Sequence, residues 1–238
     1  MVRMPPTPKT REKPFDAKNT AAYPLAEAAR YLKLPAATLR SWVAGRAYPK
    51  GDGVARFQPL IQPATGKPPL LSFWNLVEAH VLRSLRTEHG ISLKDLRAAL
   101  RYAEQHLRVE RLLLDKKLCT EGGALFLERY GTLINLSASG QLAMRKVFDE
   151  HLKRIEWGAL ALPIRLYPFV SSSAETPAKP IAIDPAIAFG RPIVIKVGVT
   201  TQGIADRIDA NEDIDEIAAD YGLLRSDIEQ AVLYERAA

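Results

Sequence analysis

The sequence predicts a fold that is mainly α with small β-hairpins: a winged helix-turn-helix domain, a middle extension, and a C-terminal strand with a three-helix module. Three observations carry that expectation. Two short helical periods flank a tight turn at Lys33-Leu34, a Pro- and Gly-rich stretch with short extended pieces follows them, and the C-terminal end holds repeated helix-start signals.

The front of the chain is read first. Met1 to about Thr20 is rich in Pro, Lys and Thr without apolar periodicity, so residues 1–20 are expected to be a flexible basic arm. A short helix over Leu25–Leu32 is opened by Pro24, and a second runs from Pro35 through Trp42 to Gly45. Leu25, Ala28, Ala29 and Leu32 share one face and Leu39, Trp42 and Val43 another, which lets the pair pack across the turn. That is helix-turn-helix spacing. Tyr48 to Leu71 is full of Pro and Gly, with extended pieces at Val54–Phe57 and Pro69–Ser72, which fits a β-hairpin or wing. Phe73 to Arg86 is then a helix, and Ser92 with Asp95 starts another that continues towards Leu114.

The middle and end follow. Leu118 to Leu136 changes period around Gly122-Gly123 and reads as a β-hairpin, a helix is expected from Ser139 or Gly140 to Trp157, and Ile164–Val170 as a strand. Residues 171–180, rich in Ser, Ala and Pro, have the composition of a linker. The resulting units are 21–104, the middle α+β extension 105–170, and 181–238. In the last, Ile181–Ile183 and the β-branched run after Pro192 are strands, and helices are expected over Thr200 to about Ile208, Ile214–Tyr221 and Asp227–Arg236. Asp213 with Glu216 and Ser226 with Glu229 are cap-and-acid pairs, and Gly222 is placed to end the second helix. So small a unit buries only a modest core, and an exposed strand beside it invites pairing with a second copy, so a homodimer or higher assembly is expected.

Composition narrows the function. With 47% hydrophobic and 25% charged residues in 238, the chain can bury a core, and disorder throughout is excluded. No apolar run approaches the roughly 20 residues of a membrane helix and no leader pattern precedes the arm, so a cytoplasmic protein with no membrane partner is expected. The single Cys119 excludes an intramolecular disulfide, and with four scattered His residues it leaves no zinc-ligand spacing. No metal and no cofactor are expected. The net charge of +6 is unevenly placed: residues 1–60 hold 11 Lys/Arg against 4 Asp/Glu, residues 177–238 hold 6 against 11. A basic front end is the footprint of a polyanion binder, and an acidic tail is not, which suggests two partners.

Candidate residues follow from this layout. The second helix of a helix-turn-helix lies in the major groove, so Thr38, Arg40 and Ser41 are placed to reach base edges, and Arg30, Lys33, Arg46, Lys50 and Arg56 to hold phosphates. Trp42 is read as core. In the C-terminal unit, Phe189, Arg191, Ile193, Ile195, Lys196, Arg207, Arg225 and Arg236 are the candidates for meeting a protein partner or a second copy, with no choice among the arginines. The acids Glu212, Asp213, Asp215 and Glu216 form either a partner face or a solvated helix face. Catalysis is not expected: Asp213/Asp215 and Asp149/Glu150 do not share a helix face, His80, His89, His106 and His151 lack a nucleophile pattern, and Gly51-Asp52-Gly53 lacks a following helix start.

Residues 23–100, through Tyr23-Pro24-Leu25, Thr38-Leu39-Arg40, Arg46 to Arg56 and Leu85 to Leu93, resemble the winged helix-turn-helix of MerR-type regulators. Residues 181–236, through Ile183-Asp184-Pro185, Phe189-Gly190-Arg191-Pro192-Ile193-Val194 and Ala218 to Gly222, resemble the antitoxin module known as domain of unknown function number 433. Where that family often carries Gly-Thr-Arg after the first strand, this chain has Lys196-Val197-Gly198-Val199-Thr200. Together the two halves resemble a VapB-type antitoxin. The resemblance implies a cognate toxin of PIN-like ribonuclease fold encoded next door, and repression of the shared operon through operator DNA. The alternative from another class is a stand-alone MerR-like transcription regulator that responds to a small ligand.

Overall fold

A computed structural model describes residues 16–51, 53–87, 97, 111–114, 152–169 and 179–237. Among the described residues are six α-helices and ten short strands in three antiparallel sheets, so the fold is mixed helix and sheet rather than mainly α. The expected arm over 1–15, the helix begun at Ser92, the hairpin at 118–136 and the body of the helix from Ser139 lie outside the described residues.

The front unit opens with β1 (Tyr23–Pro24) and α1 (Leu25–Tyr31), then α2 (Ala36–Ala44), each helix entered from a proline whose fixed φ suits the first turn. Leu39, Trp42 and Val43 on α2 pack onto Ala28, Ala29 and Leu32, as the periodicity predicts, and Trp42 has no exposed surface. Its indole N–H finds no hydrogen-bond acceptor among the described residues. Gly45 ends α2 at φ +71°, where a Cβ would lie 2.2 Å from the Phe57 carbonyl oxygen, so only glycine lets the chain turn straight into the next hairpin. That hairpin is β2 (Arg46–Lys50) with β3 (Gly53–Phe57), held by Tyr48 stacked on Phe57 at 4.1 Å between ring centres. The second extended piece, β5 (Pro69–Leu71), belongs elsewhere: it pairs with β1 and with β4 (Thr65–Gly66) in a sheet of its own.

Next, α3 (Phe73–Thr87) is capped reciprocally, since Ser72 N–H donates to Asn75 Oδ1 at 3.0 Å and Asn75 N–H to Ser72 Oγ at 3.3 Å. Its inner side carries Leu76, Val77, Val81 and Leu82. The buried Glu78 is held by Arg111 through two bonds of 2.9 Å and by Asn75 Nδ2 at 2.8 Å, the full pairing a buried carboxylate requires. Asp16 to Thr20, assigned to the arm by composition, forms a turn whose Lys18 carbonyl accepts from the Trp74 N–H at 3.1 Å.

The largest sheet joins the middle of the chain to its end. Strands β6 (Ile155–Trp157), β7 (Pro163–Leu166), β8 (Ile181–Ile183), β9 (Pro192–Val194) and β10 (Val199–Thr200) follow one another as an antiparallel meander. This corrects two expectations. Residues 155–157 are a strand paired with 163–166 and not the end of a helix, and the strand after Pro192 is paired on both sides, so it offers no free edge to a second copy. The sheet also crosses the expected linker, with Leu166 opposite Ile183. Arg165 on β7 bonds Asp184 at 2.7 Å and Glu156 at 2.9 Å, so the seam between middle and tail is ion-paired.

The tail helices are α4 (Thr201–Asp209), α5 (Ile214–Tyr221) and α6 (Arg225–Arg236). Asp213 caps α5 by accepting from the Asp215 N–H at 2.8 Å, and Gly222 ends it at φ +64°, both as the sequence predicts. Helix α6 differs: it starts at Arg225, and the Asp227 carboxylate reaches back to the Leu224 N–H at 3.1 Å in place of a Ser226 cap. Ile204, Ile217, Ile228, Ala231 and Tyr234 make the tail core against Ile181 and Val194, while Ile183 belongs to the front core. One sheet therefore feeds both cores.

Candidate nucleic-acid interface

The outward side of α2 is set by its short apolar stripe. With Leu39, Trp42 and Val43 turned in, Ala36, Ala37 and Arg40 face solvent and Thr38, Ser41 and Ala44 are half-buried. A single long cation thus rises from a floor of alanines, a surface that lets a helix approach a groove closely. Ser41 Oγ–H is committed to the Thr38 carbonyl at 2.8 Å, which leaves its oxygen as an acceptor.

The hairpin that follows carries more charge. Arg46 and Lys50 are exposed on the same strand, and Arg40, Arg46 and Lys50 make no ion pair among the described residues. Arg56 is exposed too, but its guanidinium donates to the Ala44 carbonyl at 2.6 Å and so closes the C-terminal end of α2. A signal that the spacing argument missed lies in the same stretch: between Glu27 and Glu78 the only acid is Asp52, against seven Lys/Arg that include the exposed Lys67. A run of that length with a single acid raises the local positive potential without changing the total charge.

Arg30 and Lys33 sit differently. Arg30 pairs with Glu235 at 2.5 Å and with Gln202 at 3.0 Å, and Lys33 donates to the Tyr234 carbonyl with its ammonium 4.0 Å from the centre of the Tyr234 ring. Both are turned to the tail module rather than to a free surface. Tyr234 O–H donates to the Tyr31 carbonyl at 2.8 Å, and Tyr23 O–H to the Gly190 carbonyl at 3.1 Å, so α1 and β1 are clasped by the tail. Gly190 is required there: at φ +74°, its Cβ would lie 2.0 Å from the Tyr23 oxygen. Burial lowers the Lys33 pKa to about 8, opposed by Glu235, and burial raises the phenols of Tyr23, Tyr31 and Tyr234. No local pattern foretells these contacts, since Arg30 and Glu235 stand 205 residues apart.

In the tail, the structure sorts the candidates for a partner surface. Ile193 has no exposed surface and is core, so it leaves the set, and Ile195 is half-buried. Lys196 pairs with Asp227 at 2.6 Å, Arg207 with Glu212 and Asp220 at 2.5 and 2.6 Å, Arg225 with Asp215 at 2.9 Å, and Arg236 with Asp209 at 2.9 Å. Arg191 is exposed and makes no ion pair among the described residues, and Phe189 beside it is 92% exposed. Among the described residues no group of three or more His, Cys, Asp or Glu side chains is arranged to hold a metal ion, and no helix is long and apolar enough to cross a membrane.

Comparison with known proteins fits this division. Residues 21–100 match a family described as "Putative DNA-binding HTH domain", and residues 181–234 match one described as "Protein of unknown function (DUF433)". The chain is 28% identical over 229 residues to a protein of Mycobacterium tuberculosis named "Putative antitoxin VapB45", covering 88% of this chain and 92% of that one. It is 25% identical over 228 residues to the uncharacterized protein Rv2308 of the same organism, covering 90% of each. The crystal structure of Rv2018 from Mycobacterium tuberculosis superposes with a TM-score of 0.65 over 90% of this chain and 98% of that chain at 23% identity, which establishes likeness of fold.

Proposed function

We propose that this chain is a VapB-type antitoxin that represses its own operon by binding operator DNA and neutralises a PIN-like ribonuclease toxin, and that it is not itself an enzyme. The observation that carries the DNA half is the unpaired set Arg40, Arg46 and Lys50 on α2 and the β2–β3 hairpin, which on this reading is the wing of a MerR-like domain. Arg40 and Thr38 read base edges from the major groove, and the hairpin cations hold phosphates. As a homodimer the protein sets two α2 helices on half-sites about 34 Å apart, and the linkage raises the effective concentration of the second contact. The toxin half is supported by the name of the 28% identical relative together with the acidic character of the tail module.

The test is co-expression with the product of the neighbouring gene, followed by size exclusion with light scattering and by mass spectrometry of the co-eluting chains. A stable complex, with growth arrest by the second protein alone and relief by this chain, is the expected result. A clean homodimer with no second chain overturns the toxin half. It would favour the stand-alone regulator, a reading supported by the clasp of the tail on α1, through which a ligand bound by the tail would reach the DNA-binding unit.

A further inference from the structure

The tail loop at residues 187–191 is built unlike the rest of its module. Ala188, Phe189 and Gly190 all have positive φ, at 48°, 56° and 74°. A left-handed conformation suits Gly190, but it is unfavourable for alanine and more so for a bulky aromatic. The strain is held in place because the Gly190 carbonyl is bonded by Tyr23 and the Ala186 N–H by the Asp184 carboxylate at 2.9 Å. The result is a phenyl ring held out into water at 92% exposure. The chain gains nothing for its own core from this placement, which is where strain and exposure together mark a contact residue.

Charge singles out the same loop. Of the module's cations, Lys196, Arg207, Arg225 and Arg236 are neutralised by carboxylates of the module itself. Arg191, two residues beyond Phe189, faces solvent without an ion pair among the described residues. The neighbouring turn adds Val197 at 41% exposure, and Ile187 lies beside Gly198 on that turn. An otherwise acidic module therefore presents one corner that is aromatic and cationic.

We propose that Phe189 and Arg191 form the anchor of the tail's protein-binding surface, and that the partner is a folded protein offering an apolar pocket bordered by carboxylates. This rests on the toxin reading above and names its contact. A two-fold contact between identical corners is disfavoured, because it would bring the like charges of the two Arg191 side chains near one another. An aromatic seated in a pocket with an arginine at its edge is the composition that dominates protein interfaces energetically, and the acidic face of α4 and α5 is left as solvated rim.

The experiment measures binding of the full chain to the co-expressed neighbouring protein by calorimetry, with Phe189→Asn and Arg191→Glu against Arg225→Glu as control. Asparagine accepts the left-handed region, so Phe189→Asn keeps the loop and removes only the ring. Each anchor substitution is expected to weaken the complex roughly 30-fold or more, the scale of an interface hot spot, with the melting temperature of Phe189→Asn unchanged or raised. Binding unchanged in both anchor variants, or lost only in Arg225→Glu, overturns the surface while leaving the toxin reading intact. A loss of DNA affinity instead of complex would assign the corner to DNA and overturn it as well. If the parent chain binds no neighbouring protein, the toxin reading fails and this surface with it.

Discussion

In the front unit Arg40, Arg46 and Lys50 face solvent without a carboxylate, whereas in the tail module Lys196, Arg207, Arg225 and Arg236 each hold one within 2.9 Å. The difference separates charge that is counted from charge that is available. Four of the six cations in residues 177–238 are neutralised by the module's own eleven acids, and the front unit keeps its field because one acid lies between residues 28 and 77. Arg30 and Lys33 are the exception in front, and the groups that take them, Glu235 and the Tyr234 carbonyl, are the tail's.

The largest expected effect comes from breaking the clasp that joins the two regions. Gly190→Ala puts a Cβ onto the Tyr23 hydroxyl at a left-handed position and is expected to cost about 2–4 kcal/mol. Urea unfolding reads this as a lowered midpoint, and a midpoint equal to the parent's would mean that the contact does not hold the two regions together. Next in size is the front surface itself. Arg40→Ala is expected to relax discrimination between operator and mutant operators by about 1–3 kcal/mol, whereas Lys50→Ala weakens all duplexes alike. Equal, uniform losses from both would deny α2 a reading role.

How far these regions could be read without a structure depends on the distance over which their contacts act. The Asp213 cap, the Gly222 stop and the buried face of α2 were legible because each is written within four residues, and so was Trp42 as core. The α6 start was misplaced by two residues: the N-cap is Leu224 rather than Ser226, and Asp227, at the third helical position, accepts from the Leu224 N–H while also pairing with Lys196. Strands at 164–170, 181–183 and after Pro192 were legible from their β-branched runs, but β6, β10 and the pairing of all five into one meander were not, because strands of two to four residues gain their stability only from pairing across the chain. For the same reason spacing proposed Arg30 and Lys33 alongside the other DNA candidates, because nothing near them in sequence announces Glu235 or the Tyr234 carbonyl, which the tail brings to them. Ile193 was likewise offered as surface before the sheet showed a neighbour on each side.

A smaller effect sharpens the exception. With its pKa lowered to about 8 by burial, the Lys33 amine favours the folded state in its neutral form. The stabilisation from this depressed group is full above its unfolded value near 10.5 and is lost as pH falls through about 8. Stability measured in urea is therefore expected to rise from pH 7 to pH 10 in the parent, and Lys33→Met is expected to flatten that rise; an identical slope in the variant would place Lys33 in water. The smallest effect is the control in the tail. Arg225→Ala removes an exposed pair and should leave melting temperature and DNA affinity unchanged.

The claim that DNA binding resides on α2 and the hairpin is tested most directly by the salt dependence of binding to a labelled duplex. The parent chain is compared with the Arg40→Ala, Arg46→Ala, Lys50→Ala triple variant by fluorescence anisotropy. If Arg46 and Lys50 hold phosphates while Arg40 reads base edges, the slope of log affinity against log salt becomes shallower by about 0.9 for each of the two hairpin cations removed. A parent slope near zero, or a triple variant with the parent's slope, would contradict the account.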